Sequence, residues 1–207
     1  YRYVHVVDPE ALAREQRSLC ERLNLKGRII VASEGINGTV EGLKENTDKY
    51  IEEMVKDKRF ADIHWKKSVG IGNAFPKLSV KLRAEIVTLG LNTCDTCPVR
   101  DREGSQRSFI CNGIDPNQVT GIHLEPEELH EWFTPSKVEG IKPKEFYIVD
   151  MRNVYEHKVG HFAGSILPPI ENFRDLPKVV KQIKHLKNKT VLTVCTGGVR
   201  CEKASGF

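Results

Sequence analysis

No apolar run in this sequence of 207 residues approaches the length a helix needs to cross a bilayer. The opening residues lack the secretory order of basic start, apolar middle and small-residue cleavage site, so a cytoplasmic protein is expected. Charge of one sign is also scarce. The net charge of +4 is a mild basic excess that permits a polyanionic partner without demanding one. Natural-looking ends are missing too: residue 1 is Tyr, and the closing "CEKASGF" opens a helical pattern that stops, so a fragment is expected. The charged and apolar fractions are those of ordinary globular protein, and the length fits one large domain or two small ones. Six cysteines are present, and in an intracellular chain metal or redox chemistry is their better reading than disulfide bridges.

The first ninety residues alternate strand and helix patterns. Tyr3 to Val7 is β-rich, Asp8 and Pro9 suit a helix start, and Ala11, Leu12, Leu19, Cys20 and Leu23 form an apolar stripe that Gly27 should end. Arg28 to Ala32 reads as a strand, "SEGINGT" as a turn signalled by Asn37-Gly38, and Thr39-Val40 as the returning strand. A helix over about 43–57 follows, then strands over Ile63 to Val69 and Leu78 to Leu82. That βαββαβ order predicts a ferredoxin-like, acylphosphatase-like α+β sandwich over residues 1–90. Residues 91–120 hold no sustained period and read as a linker or insertion. Beyond it, a helix opening at Pro126, a strand over Phe146 to Asp150, a helix over Leu176 to Leu186 and a strand over Thr190 to Val194 predict a parallel α/β domain over 121–207.

The stretch after that last strand, Cys195-Thr196-Gly197-Gly198-Val199-Arg200-Cys201, carries the chemistry. Cys195 stands at a strand's carboxyl end, where parallel sheets bind ligands. Gly197 and Gly198 relieve the steric bar to positive φ, so backbone N–H groups from Thr196 to Arg200 can converge on one anion. A helix start and the Arg200 charge would add to that field and turn Cys195 into a nucleophilic thiolate. The blander reading is a buried strand-end thiol, which the glycines and arginine disfavour. Cys201 either resolves a disulfide or persulfide on Cys195 or is the first buried residue of the helix.

"CTGGVRC", with Asp150-Met151-Arg152-Asn153, Tyr155-Glu156 and Gly160 to Ser165, resembles a rhodanese domain, whose active loop begins with a persulfide-forming cysteine. From Cys195 to Arg200 the loop is six residues, as in sulfur-transferring rhodaneses. Taken with "ASEGINGTVEG", "EIVTLGL" and "GIHLEPEELHEWF", the order of strings resembles the bacterial tRNA uridine hydroxylase family along most of the chain. That resemblance implies 5-hydroxyuridine formation at the wobble position of tRNA with molecular oxygen as co-substrate, without a known metal or flavin. It implies Cys195 as the essential loop cysteine and Cys201 as a second important thiol. It also implies tRNA as partner, with no membrane association, and a rhodanese sheet that needs a further helix and strand beyond Phe207. A more distant resemblance is to eukaryotic thiosulfate-sulfurtransferase-like proteins.

Other groups have two readings each. Asp150 and Arg152 either shape the site mouth or form a buried pair tying loops together, the reading preferred here. His161 is a possible acid or base, though hydrogen bonding to backbone suits a glycine-flanked histidine better. Glu34 and Asn37 fit a tight turn. Lys66, Lys67, Lys77, Lys81 and Arg83 are candidates for phosphate contacts and Trp65 and Phe75 for base stacking, against solvated lysines and core packing as the commoner explanations. Cys94, Cys97 and Cys111, with His123, are a minority candidate for zinc; the segment departs from the family's short link. Beside the hydroxylase stand two alternatives: a sulfurtransferase carrying a Cys195 persulfide, and a non-catalytic module that only binds anions or RNA.

Overall fold

The computed structural model describes residues 1–91, 114–134 and 145–207. The chain divides into two compact units, Tyr1–Thr88 and Leu89–Phe207. Among the described residues no helix is long and apolar enough to cross a membrane.

In the first unit, α1 (Pro9–Arg22) starts where Asp8 accepts a hydrogen bond from the Ala11 N–H at 2.8 Å and Pro9 sits in the first turn. Its buried stripe is Leu12, Gln16 and Cys20. The helix stops before Gly27: Asn24 takes φ 50° and closes the end, and Gly27 lies inside β2 (Lys26–Ala32). An antiparallel partner, β3 (Gly35–Glu41), pairs Ala32 with Gly35, so the turn is Ser33-Glu34. Asn37 and Gly38, expected at the turn, are instead ladder residues opposite Ile30 and Ile29. The reason lies across the sheet. β1 (Arg2–Tyr3) approaches Gly35, at φ +144°, so closely that a Cβ there would stand 2.0 Å from the Arg2 carbonyl oxygen. The strand expected over Tyr3 to Val7 continues only as single bonds, from Val4 N–H to Glu34 O and Val6 N–H to Ser33 O, each 2.9 Å.

Glu34 and Asn37 do more than turn the chain. The Glu34 carboxylate accepts from the Ile86 N–H at 2.6 Å, and the Asn37 amide donates to the Ile86 carbonyl at 3.2 Å. Together they clamp the segment after β4 (Leu78–Leu82). That strand lies parallel to β2, in sheet order β1-β3-β2-β4, and α2 (Lys44–Val55) precedes it. β1 and β2 run parallel with β3 inserted between them, the split βαβ unit expected from the sequence. Ile63 to Val69 forms no strand: Ile63 and Trp65 pack against the core, while Val69 is fully exposed.

Between the helices and the sheet, Leu12, Cys20, Ile29, Val31, Tyr50 and Met54 form the centre of the core. A polar link crosses it. The Tyr50 hydroxyl donates to Gln16 Oε1 at 2.5 Å, and Gln16 Nε2 donates to Met54 Sδ at 3.0 Å, joining α1 to α2. Burial pushes the Tyr50 hydroxyl and the Cys20 thiol up, the latter to about 11, so both stay protonated.

In the second unit, β5 (Tyr147–Asp150) and β6 (Val191–Val194) pair in parallel, from Tyr147↔Val191 to Asp150↔Val194. Both carboxyl ends therefore meet at one edge. Ile166 adds a single parallel bridge to Val149. The helices are α3 (Pro126–Phe133), α4 (Val154–Val159), α5 (Leu176–Val179) and α6 (Val199–Gly206). The helix expected over Leu176 to Leu186 is α5 followed by a 3-10 segment, Val180–Leu186, the change falling at the β-branched pair Val179-Val180. Part of the expected linker packs against α6: the Thr120 hydroxyl donates to the Glu202 carbonyl at 3.2 Å, and the Gly121 N–H to Ser205 Oγ at 2.8 Å.

The buried link in the first unit makes a test of its packing. Gln16→Leu leaves the Tyr50 hydroxyl without an acceptor and should cost about 1–3 kcal/mol in urea unfolding. Adding Tyr50→Phe should recover most of that loss, because the orphaned group is then gone.

Candidate active site

Strand β6 delivers Cys195 to the sheet edge, and the chain must reverse at once to begin α6. It does so through Gly198, at φ +93°. The sequence suggests that both glycines are needed for positive φ, but only Gly198 uses it; a Cβ on Gly197 would meet open space. The reversal aims the Gly198 N–H at Cys195 Sγ, 3.0 Å away.

The Cys195 thiol is lowered from 9.0 to about 5. The largest cause is a hydrogen bond from the Cys201 thiol, in the first turn of α6. Backbone N–H groups of Cys201, Gly197 and Arg200 add to it, and burial opposes it. Cys201 is driven the other way by the same contact and keeps its proton. Cys195 is thus a thiolate across the neutral range, and Cys201 is the donor that holds it so.

Arg200 bears on the Cys195 sulfur and has a second partner as well. Its guanidinium forks onto Glu156, with Nη1 to Oε2 at 2.7 Å and Nη2 to Oε1 at 2.8 Å, and Nη2 also reaches Thr196 Oγ1 at 3.2 Å. Thr196 in turn donates to Glu156 Oε1 at 2.7 Å. Arg200 therefore fastens the loop to α4 and also adds its charge beside the Cys195 sulfur. Arg200's hydrogen bond, then Thr196's and the Asn153 N–H, hold the Glu156 carboxyl down to about 2 against burial. The role of Glu156 is one that the sequence reading passed over. The available signal was Asn153-x-x-Glu156, in which the carboxylate accepts from the Asn153 N–H at 3.1 Å as in a capping box.

Asp150 and Arg152 form the buried pair. Arg152 N–H and Nε donate to Oδ1 at 3.0 Å and Nη2 donates to Oδ2 at 2.7 Å, with the Asp150 side chain fully buried. Nη2 also reaches the Gly160 carbonyl at 2.6 Å, which ties the loop after α4 to the strand end. Arg152, Gly160, His161, Phe162, Val194 and Cys195 line a cavity of about 330 Å³. His161 binds backbone through Nδ1, 2.9 Å from the His157 carbonyl, and stacks on His157 at 3.8 Å.

Most of the other candidates belong to the first unit. Trp65 packs edge-on against Tyr50 at 6.1 Å, in the core rather than toward a base. Lys66, Lys67, Lys77, Lys81 and Arg83 are exposed, Lys67 being paired with Asp48 at 3.0 Å. Phe75 is half-buried, its N–H held by Glu41 at 2.7 Å. Cys94, Cys97 and Cys111 lie outside the described residues, and His123 is exposed.

Known proteins match this sequence along its length. Residues 1–86 match the UPF0176 acylphosphatase-like domain. The whole chain is 43% identical to the tRNA uridine(34) hydroxylase of Bacillus licheniformis, 42% to that of Staphylococcus carnosus and 41% to that of Listeria welshimeri. It spans 56% to 57% of the length of these curated relatives. Among the described residues, the loop from Cys195 to Cys201 is where a strand end, a reversing glycine and two thiols meet.

The Cys201 contact can be tested by alkylation. Cys201→Ala removes the main donor, so iodoacetamide should modify Cys195 roughly tenfold more slowly at pH 6 for a rise of about two pKa units. Cys201→Ser keeps a donor and should lie nearer the parent protein. Equal rates for all three, followed by mass spectrometry of the Cys195 peptide, would mean that Cys201 does not set the ionisation.

Proposed function

We propose that this chain is part of a tRNA-modifying oxidoreductase that converts wobble uridine to 5-hydroxyuridine, with a rhodanese-like second unit carrying the active cysteine. The observation that carries the reading is Cys195, its sulfur met by the Gly198 N–H, lining a cavity at the carboxyl edge of a parallel strand pair. The names of the relatives supply the substrate and position. Molecular oxygen is the co-substrate in this reading. One oxygen atom replaces hydrogen at C5, and the other leaves as water with two electrons and two protons from a separate two-electron reductant. Cys195 and Cys201 act at the reacting centre, Thr196 to Arg200 shape the loop, and Asp150 and Arg152 hold its rim. tRNA is the partner, and Lys77, Lys81 and Arg83, exposed in the first unit, are suited to its phosphates.

A sulfurtransferase is the second reading, favoured by the six-residue span from Cys195 to Arg200 and by converging N–H groups that would suit a persulfide. In it Cys195 attacks the outer sulfur of a thiosulfate-type donor, releases sulfite, and passes the sulfur on. A module that only binds an anion has no use for an ionised sulfur, and Arg200's engagement with Glu156 weakens it further.

Cells relying on the full-length protein with Cys195→Ser should lose 5-hydroxyuridine and its derivatives from total tRNA by nucleoside mass spectrometry. Unchanged levels would reject the hydroxylase. Thiocyanate formation from thiosulfate and cyanide that vanishes with the same substitution, against unchanged tRNA, would establish the sulfurtransferase instead.

A further inference from the structure

The cavity beside Cys195 has walls suited to a flat ring. At about 330 Å³ it stands at the small end of ligand pockets, with room for one nucleoside. Phe162 lines it while remaining 43% exposed, and its ring stacks on Phe133 at 6.4 Å and 11°. Phe133, 51% exposed, is braced edge-on by Phe146 at 5.3 Å. Exposed aromatic rings held in place by other rings are a stacking surface for a base. On the same lining, Arg152 spends its N–H, Nε and Nη2 on Asp150 and Gly160, whereas its Nη1 makes no hydrogen bond among the described residues. A nucleophilic sulfur, an aromatic shelf and an available donor thus border one small space.

We propose that this cavity binds an unpaired uracil ring against Phe162 and that the Cys195 sulfur adds to C6 of that ring. The inference rests on uridine being the substrate. Uracil's C5=C6 bond is conjugated with the C4 carbonyl, so C6 is its electrophilic carbon. As the S–C6 bond forms, the C5=C6 electron pair shifts toward C5 and the C4 oxygen. Arg152 Nη1 is the donor available to that oxygen. C5, the carbon that receives oxygen in the proposed reaction, becomes electron-rich, which gives the thiolate a task in a hydroxylation. With no oxidant present, a solvent proton adds to C5. Reversal breaks the S–C6 bond, restores the thiolate and releases either hydrogen from C5, so nothing is oxidised.

The step is read as hydrogen exchange. The full-length protein is incubated without oxygen, in deuterated water, with an anticodon stem-loop RNA bearing uridine at the wobble position. Deuterium at C5 is then measured by nucleoside mass spectrometry. Exchange is expected with the parent protein and absent with Cys195→Ser. Phe162→Ala should slow it by roughly ten- to a hundredfold, the usual worth of one stacked base, and Phe162→Tyr should restore it. A second RNA with 5-fluorouridine at that position should add its mass to the Cys195 peptide. A protein that makes 5-hydroxyuridine in air yet gives neither exchange nor adduct overturns the proposal and leaves the hydroxylase reading intact. Full exchange with Phe162→Ala overturns the aromatic shelf. Exchange and adduct from a protein that never makes 5-hydroxyuridine supports the proposal and sinks the hydroxylase reading.

Discussion

A half-buried sulfur anion survives only where hydrogen-bond donors replace the water it has lost. Around Cys195 those donors come from two sources, the Cys201 thiol and the backbone N–H groups of the turn into α6. Burial works against ionisation here, so the lowered pKa measures how far the donors win. The two thiols divide one role. Cys195 gives up its proton, and Cys201 keeps its own because it donates it to Cys195, with burial and its neighbour's charge acting the same way.

That arrangement depends on the loop being held in shape from outside. Gly198 supplies the left-handed conformation that lets the chain turn from strand to helix between Val194 and Val199. Glu156 then grips the loop through Arg200 and Thr196 and grips its own helix start through the Asn153 N–H. Its carboxyl is charged far into acid, so the fastening is complete above the ordinary carboxylate pKa and is lost only as pH falls toward 2. On the other side, Asp150 holds Arg152 by its side chain and its backbone N–H, and Arg152 holds the loop after α4. The parallel pairing of β5 with β6 brings both fastenings to one edge, which is why residues more than forty positions apart in sequence act on one sulfur.

Much of this was legible in the residues. Strand composition and the glycines placed Cys195 at a strand end before a helix, and Asp8-Pro9 marked the start of α1 within a residue. What stayed hidden were partners chosen by tertiary contact. Asn37-Gly38 has the local signature of a hairpin turn, yet the ladder places it mid-strand, because Gly35 alone tolerates the close approach of β1. Arg200 does bear on Cys195, but nothing local revealed that Glu156, on another helix, would hold it too. Ile63 to Val69 has the composition of a strand but finds no neighbour to pair with, and composition cannot supply one. Phe162, set among small residues in its motif, gave no hint that Phe133 would stack on it.

The claim beneath all of this is that position 195 is ionised in the resting protein. The most direct measurement is the far-ultraviolet thiolate absorbance of the full-length protein, titrated with pH and corrected with the Cys195→Ser protein. A midpoint at about pH 5 is the predicted result. A midpoint at about 8.5, where an unassisted thiol titrates, would contradict it.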